Sequence, residues 1–169
     1  MYQNILFDLD GTLTNSELGI TNSVAYALEK FGIEVQDKKE LTVFIGPPLK
    51  YSFEHFYGFS EEESLQAVEY YREYFSEKGL YENEVYKGIR EILSSLKQAD
   101  KKLIVATSKP EKFSTQILKH FDLYDYFDFI AGATMDGSRS KKADVIGYAL
   151  EKTKIKNLSE TIMVGDREH

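Results

Sequence analysis

The chain has 169 residues, 42% hydrophobic and 29% charged, which is enough apolar material for a packed core and excludes a disordered tail. Its formal net charge of −7 excludes the clustered positive surface that nucleic-acid binding or a polybasic membrane anchor needs, but a small anion can still be held by local lysines. The absence of cysteine rules out disulfides, thiolate nucleophiles and cysteine-based zinc sites, and points to a reducing compartment. The opening MYQNILFDLDG lacks a basic flank with a long apolar stretch, and no run reaches the ~20 apolar residues of a membrane span. A cytoplasmic protein with no membrane or nucleic-acid partner is expected.

In chain order, Asn4 to Leu9 is a short apolar run ending in Asp10-Gly11-Thr12, as a buried strand delivering residues to its carboxyl end would read. From Ser16 to Phe31 the apolar residues Ile20, Val24, Ala25, Leu28 and Phe31 recur at helical spacing, with Thr14-x-x-Glu17 matching a capping box and Gly32 as the stop. Residues 34–86 read as purely helical. Ser60-x-x-Glu63 is a second capping box there, and Pro47-Pro48 breaks the chain after Gly46. Strict alternation follows: a helix around Ile89 to Leu96, a strand at Leu103 to Thr107, a helix with Pro110 in its first turn, a strand at Phe129 to Ala131, a helix around Val145 to Leu150, and a strand at Thr161 to Val164.

Strands alternating with helices predict an α/β fold with a Rossmann-like parallel sheet and helices on both faces, because parallel neighbours need crossover connections. The core domain is expected at residues 1–14 and 87–169, with an inserted helical cap at 15–86.

Ligands of such sheets bind beyond the carboxyl ends of the strands. That edge collects Asp8 and Asp10, then Thr107 and Ser108, Gly132, and Gly165-Asp166. Like charges ~4 Å apart repel by about 4 kcal/mol at an effective dielectric near 20, so three carboxylates together call for a cation. Oxygen-only ligands favour magnesium over zinc. Ser108 and Lys109 precede a helix whose free N–H groups can seat an anion, and Arg139, Lys141 and Lys142 lie before the last helix. Carboxylates, a metal, a hydroxyl, a helix N-terminus and a lysine describe a phosphoryl-transfer site.

Asp8-Leu9-Asp10-Gly11-Thr12-Leu13, Thr107 after an apolar strand, a lysine before a helix, and Gly165-Asp166 after another strand resemble the four motifs of the haloacid dehalogenase-like hydrolases. The helical insertion after the first motif is similar to the cap of the phosphoglycolate phosphatase-like group, and YENEVYKGI and GSRSKKADVI look like its nucleotidase-like members. The resemblance implies a magnesium-dependent phosphomonoester hydrolase acting on a small phosphorylated metabolite. Asp8 would form an aspartyl-phosphate, with Asp10 as acid and then base. It implies magnesium held by Asp8, the Asp10 backbone carbonyl and Asp166, phosphoryl oxygens held at Gly11, Thr12, Thr107 and Ser108, and a lysine that neutralises Asp8. Lys142-Ala-Asp-Val-Ile fits the family pattern for that lysine, and Lys141 is one position off. A phosphomutase is the alternative enzyme. A non-enzymatic receiver-like signalling module uses similar chemistry, but without a helical insertion and with its phosphoacceptor on a middle strand.

Other features read as structural. Lys109 and Arg139 are expected to be solvated charges, His55 and His120 structural, and the tyrosines at 51, 57, 70, 71 and 74 core and rim residues. Gly46-Pro47-Pro48-Leu49 is either a plain helix break or a substrate-reading loop, with Lys50 as its partner. Phosphoglycolate, a nucleoside monophosphate and pyrophosphate all remain open as substrates, and no feature encodes an oligomeric state. Relatives continue Gly-Asp with three residues, a second Asp, and a further helix and strand. A C-terminally truncated chain, with its last strand and helix missing and lower activity and stability than a longer form, is therefore expected.

Overall fold

The apolar run that opens the chain forms β1 (Asn4–Phe7), an inner strand of a four-stranded parallel sheet. The computed structural model describes residues 1–166. After β1 come β2 (Thr14–Asn15), α1 (Glu17–Lys30), α2 (Leu49–Tyr57), α3 (Glu61–Tyr74) and β3 (Glu84–Val85). The alternating portion follows as α4 (Ile89–Gln98), β4 (Lys102–Pro110), α5 (Glu111–His120), β5 (Phe129–Ala133), α6 (Lys142–Thr153) and β6 (Thr161–Val164). No helix among the described residues is long and apolar enough to cross a membrane.

The sheet order is β5-β4-β1-β6, with every pairing parallel. Ile5 sits opposite Leu103 on one side and Ile162 on the other, so three apolar runs distant in sequence share one register. Leu6, Ile104, Ala106 and Ala131 pack with Val145 and Ala149 of α6, and Met163 and Tyr148 close the edge of that cluster. Alternation along the strands turns Ile5, Phe7, Leu103 and Val105 to the other face, where they are also buried. Both faces are thus covered, as a parallel sheet requires.

The chain divides into two compact units, residues Met1–Asn15 with Val85–His169, and Ser16–Glu84. The second unit is built from α1, α2 and α3 with a 3-10 turn at Lys38–Phe44 and a π turn at Phe75–Gly79. Phe44 and Phe53 are fully buried in it, their ring centroids 5.0 Å apart. The capping box at Ser60 and Glu63 forms as the spacing predicts.

Several local expectations are corrected. Thr14 does not cap α1: the cap position is Ser16, which makes no side-chain capping bond, and Thr14 lies in β2 instead. The stretch read as purely helical contains the whole of β3. Pro110 is the cap of α5 rather than a first-turn residue, and β4 runs three residues past Thr107 to Pro110. That extension matters for the site.

Candidate active site

The carboxyl end of β1 is wound into a tight turn. The Leu9 carbonyl accepts from the N–H groups of Leu13 at 2.9 Å and Thr14 at 3.1 Å, and Gly11 donates to the Thr14 carbonyl at 2.9 Å. Gly11 has φ +79, a conformation that L side chains rarely adopt, and a Cβ there would run into the Asp166 carboxylate. The turn therefore depends on glycine, and it brings the end of β6 beside the end of β1. Asp8 is tied in through its N–H, which donates to the Val164 carbonyl at 2.9 Å.

Each acid of the first strand is held by a lysine from a later element. Lys142 opens α6, is buried, and its Nζ donates to Asp8 Oδ2 at 2.5 Å and to the Ala106 carbonyl at 3.2 Å. The other Asp8 oxygen, Oδ1, accepts the Leu9 N–H at 2.8 Å. Lys141, one residue earlier, is exposed, so of the two lysines weighed from the sequence it is Lys142 that reaches Asp8.

Lys109 is not the solvated charge that the sequence suggested. Its side chain is 5% exposed, and its Nζ donates to both oxygens of Asp10, at 3.0 and 2.8 Å. The extended β4 explains the miss. Read as the lead-in to a helix, Lys109 has no fixed direction; in the structure it belongs to the end of β4, where the strand register shifts between Ala106 and Pro110. Alternation along a regular strand could not have found it, because the register is irregular there. Two of the three carboxylates at this edge are thus each paired with a lysine. Among the described residues, no three His, Cys, Asp or Glu side chains gather as a metal cluster.

The remaining predicted residues fall as follows. Thr107 is buried, and its Oγ1 accepts the Lys109 N–H at 3.2 Å. Ser108 is half-buried beside it. Thr12 Oγ1 is buried with no protein hydrogen-bond partner among the described residues. Asp166 is exposed with its carboxylate against Gly11, while Gly165 lies against Asp8. The residues after Asp166, on which the fourth-motif reading also depended, lie outside the described residues.

Arg139, also read as solvated, works as a strut. Its Nε donates to the Gly132 carbonyl at 2.9 Å, its guanidinium pairs with Glu111 at 3.2 Å, and it lies 3.6 Å over the Tyr148 ring. Asp136 shapes the same loop. Hydrogen bonds from the Thr134 hydroxyl, then from the Ser138 N–H and hydroxyl, hold its carboxyl down at about 2. These contacts fix the segment that delivers Lys142. Lys50 pairs with Glu61 at 2.6 Å and Glu54 at 3.7 Å, so its charge is already engaged within its own unit.

A parallel α/β core with two lysine-paired aspartates just past its first strand, and a threonine and a third aspartate at the neighbouring strand ends, has the architecture of a hydrolase. The chain belongs to the haloacid dehalogenase-like hydrolase family, whose model matches residues 5–169. It is 45% identical over 168 residues to a 5'-nucleotidase of Pseudomonas aeruginosa, covering 99% of this chain and 76% of that protein. It is 41% identical over 169 residues to the tyrosine-protein kinase PtkA of Mycobacterium tuberculosis, and spans 56% of that protein's length. Among solved structures, a predicted phosphatase from Clostridium acetobutylicum superposes with a TM-score of 0.96 at 55% identity, over 99% of this chain and 77% of that one.

Proposed function

We propose that the chain is a phosphomonoester hydrolase acting on a small phosphorylated metabolite through a phosphoryl group carried on Asp8. The observation that carries this reading is the pair of buried acid–lysine contacts, Lys142 on Asp8 and Lys109 on Asp10, at the end of one strand. The names of the relatives, a 5'-nucleotidase and a predicted phosphatase, support it.

Asp8 is suited to attack because its carboxylate plane is fixed at both oxygens, by Lys142 and by the Leu9 N–H, which lowers the entropic cost of reaching an in-line geometry. In the first step an Asp8 oxygen bonds to phosphorus, the phosphorus–ester bond breaks, and the leaving oxygen takes a proton from Asp10. In the second, a water oxygen bonds to phosphorus, gives its proton to Asp10, and the Asp8–phosphorus bond breaks, releasing inorganic phosphate. Lys142 offsets the charge that builds on the transferring group. The buried Thr12 hydroxyl and the α5 N-terminus behind Ser108 are donors for phosphoryl oxygens.

The donor set fits magnesium: Asp8, Asp166 and the Asp10 carbonyl offer only oxygen, and the close approach of Asp166 to Gly11 places the third carboxylate at the same strand ends. When bound, magnesium would supply Lewis-acid stabilisation of phosphoryl oxygens. The test is hydrolysis of an aryl phosphate with magnesium by the wild-type chain and by Asp8→Asn. Turnover lost in the variant supports the reading, whereas an Asp8→Asn variant that keeps wild-type turnover overturns it. Phosphate released from a sugar phosphate, rather than an isomeric sugar phosphate, separates hydrolase from phosphomutase.

A further inference from the structure

The mechanism above uses Asp8, Asp10, Lys142 and Asp166 but gives no task to Lys109. Burying a lysine head and a carboxylate costs several kcal/mol per ion unless geometry and extra hydrogen bonds compensate, so a pair only 5% and 10% exposed reflects a specific arrangement. The geometry is bidentate, with Nζ at 3.0 Å from Asp10 Oδ1 and 2.8 Å from Oδ2. A single ammonium shared by both oxygens at nearly equal distances holds the carboxylate head in place with both oxygens turned toward Nζ.

Lys109 is itself anchored on three sides. Its N–H donates to Thr107 Oγ1 at 3.2 Å, and its carbonyl accepts the buried Ser114 hydroxyl at 3.5 Å. That carbonyl also packs against Gly132 so closely that a Cβ on the glycine would lie 2.7 Å from it. The β4 register shifts between Ala106 and Pro110, and it is this irregular end of the strand that presents Lys109.

We propose that Lys109 is the positioning residue for Asp10, holding its carboxylate in the orientation that receives the proton of the hydrolytic water in the second step. The assignment rests on the aspartyl-phosphate reading above. It concerns the step in which water oxygen bonds to phosphorus, its proton passes to Asp10, and the electron pair of the broken bond returns to Asp8.

p-Nitrophenyl phosphate isolates that step, because its leaving group departs without needing a proton from Asp10. In rapid mixing with magnesium, Lys109→Met should release a first equivalent of nitrophenolate per enzyme at close to the wild-type rate. Turnover should then fall by about 10²-fold, the usual scale of a lost general base. Acid quench should trap phosphate on the protein. Lys109→Arg, which keeps a bidentate donor, should recover part of the turnover, and Lys109→Met combined with Asp10→Asn should be no slower than Asp10→Asn alone.

If the first equivalent slows as much as turnover, or the two substitutions combine additively, Lys109 serves Asp8 or the fold and the proposal fails. If Lys109→Met does not fold, Lys109→Gln and Lys109→Arg carry the same comparison. A wild-type chain that hydrolyses nothing overturns the phosphatase reading itself, whereas an active wild type matched by Lys109→Met overturns only the assignment of Lys109.

Discussion

Replacing Lys142 with methionine tests whether its contact with Asp8 is a structural ion pair as well as part of the proposed site. The two side chains are 7% and 12% exposed and meet at 2.5 Å, so neither charge has water as a substitute partner. Unit charges ~4 Å apart attract by about 4 kcal/mol at an effective dielectric near 20, and desolvation of both ions offsets much of that. Removing one partner leaves the other charge buried with its desolvation cost uncompensated, and such losses run to about 3–5 kcal/mol. For a domain stabilised by roughly 5–15 kcal/mol this is a large fraction. Urea unfolding of Lys142→Met, Asp8→Asn and the double variant, followed by circular dichroism, gives the comparison. The double variant should be more stable than Lys142→Met alone, because a neutral amide at position 8 needs no ammonium. A Lys142→Met protein within about 0.5 kcal/mol of wild type, or a double variant at the sum of the singles, would refute the reasoning.

Gly132→Ala should destabilise by about 1–3 kcal/mol in the same assay, since its Cβ would lie 2.5 Å from the Glu111 backbone nitrogen, and backbone cannot swing aside as a side chain can; an unchanged midpoint would contradict the close approach of β5 to α5. The Asp136 carboxyl should titrate by NMR at about 2, below its ordinary value. Because its folded value is depressed, the turn it stabilises should be fully formed above pH ~4 and lose that contribution only as pH falls through about 2. Asp136→Ala should remove this acid-limb component, and a midpoint near 4 would show that the Thr134 and Ser138 bonds do not hold it.

Much of the core was legible because its signals are local. Apolar runs of strand length and apolar spacing of helix period, punctuated by Gly and Pro, marked four parallel strands and the helices between them, since burial on both faces permits little else. The short strands β2 and β3 were missed because two-residue strands carry no periodicity. The Thr14 capping reading failed because a hydroxyl three residues before an acid is a local pattern, and the winding of the turn on the Leu9 carbonyl drew Thr14 into a strand instead.

By itself the sequence determined which acids stand at the carboxyl edge: Asp8 and Asp10 follow β1 two residues apart, and Asp166 follows β6, because strand ends are set by where the apolar runs stop. It could not determine which cations answer them. Asp10 and Lys109 are 99 positions apart and Asp8 and Lys142 134, and lysines look alike in sequence whether solvated or buried. Only the parallel register of β1 with β4, the three-residue extension of β4, and the start of α6 at Lys142 rather than Lys141 bring each ammonium to its carboxylate. Charge pairing at a buried site is a property of distance in space, and that distance exists only after the strands have chosen their neighbours.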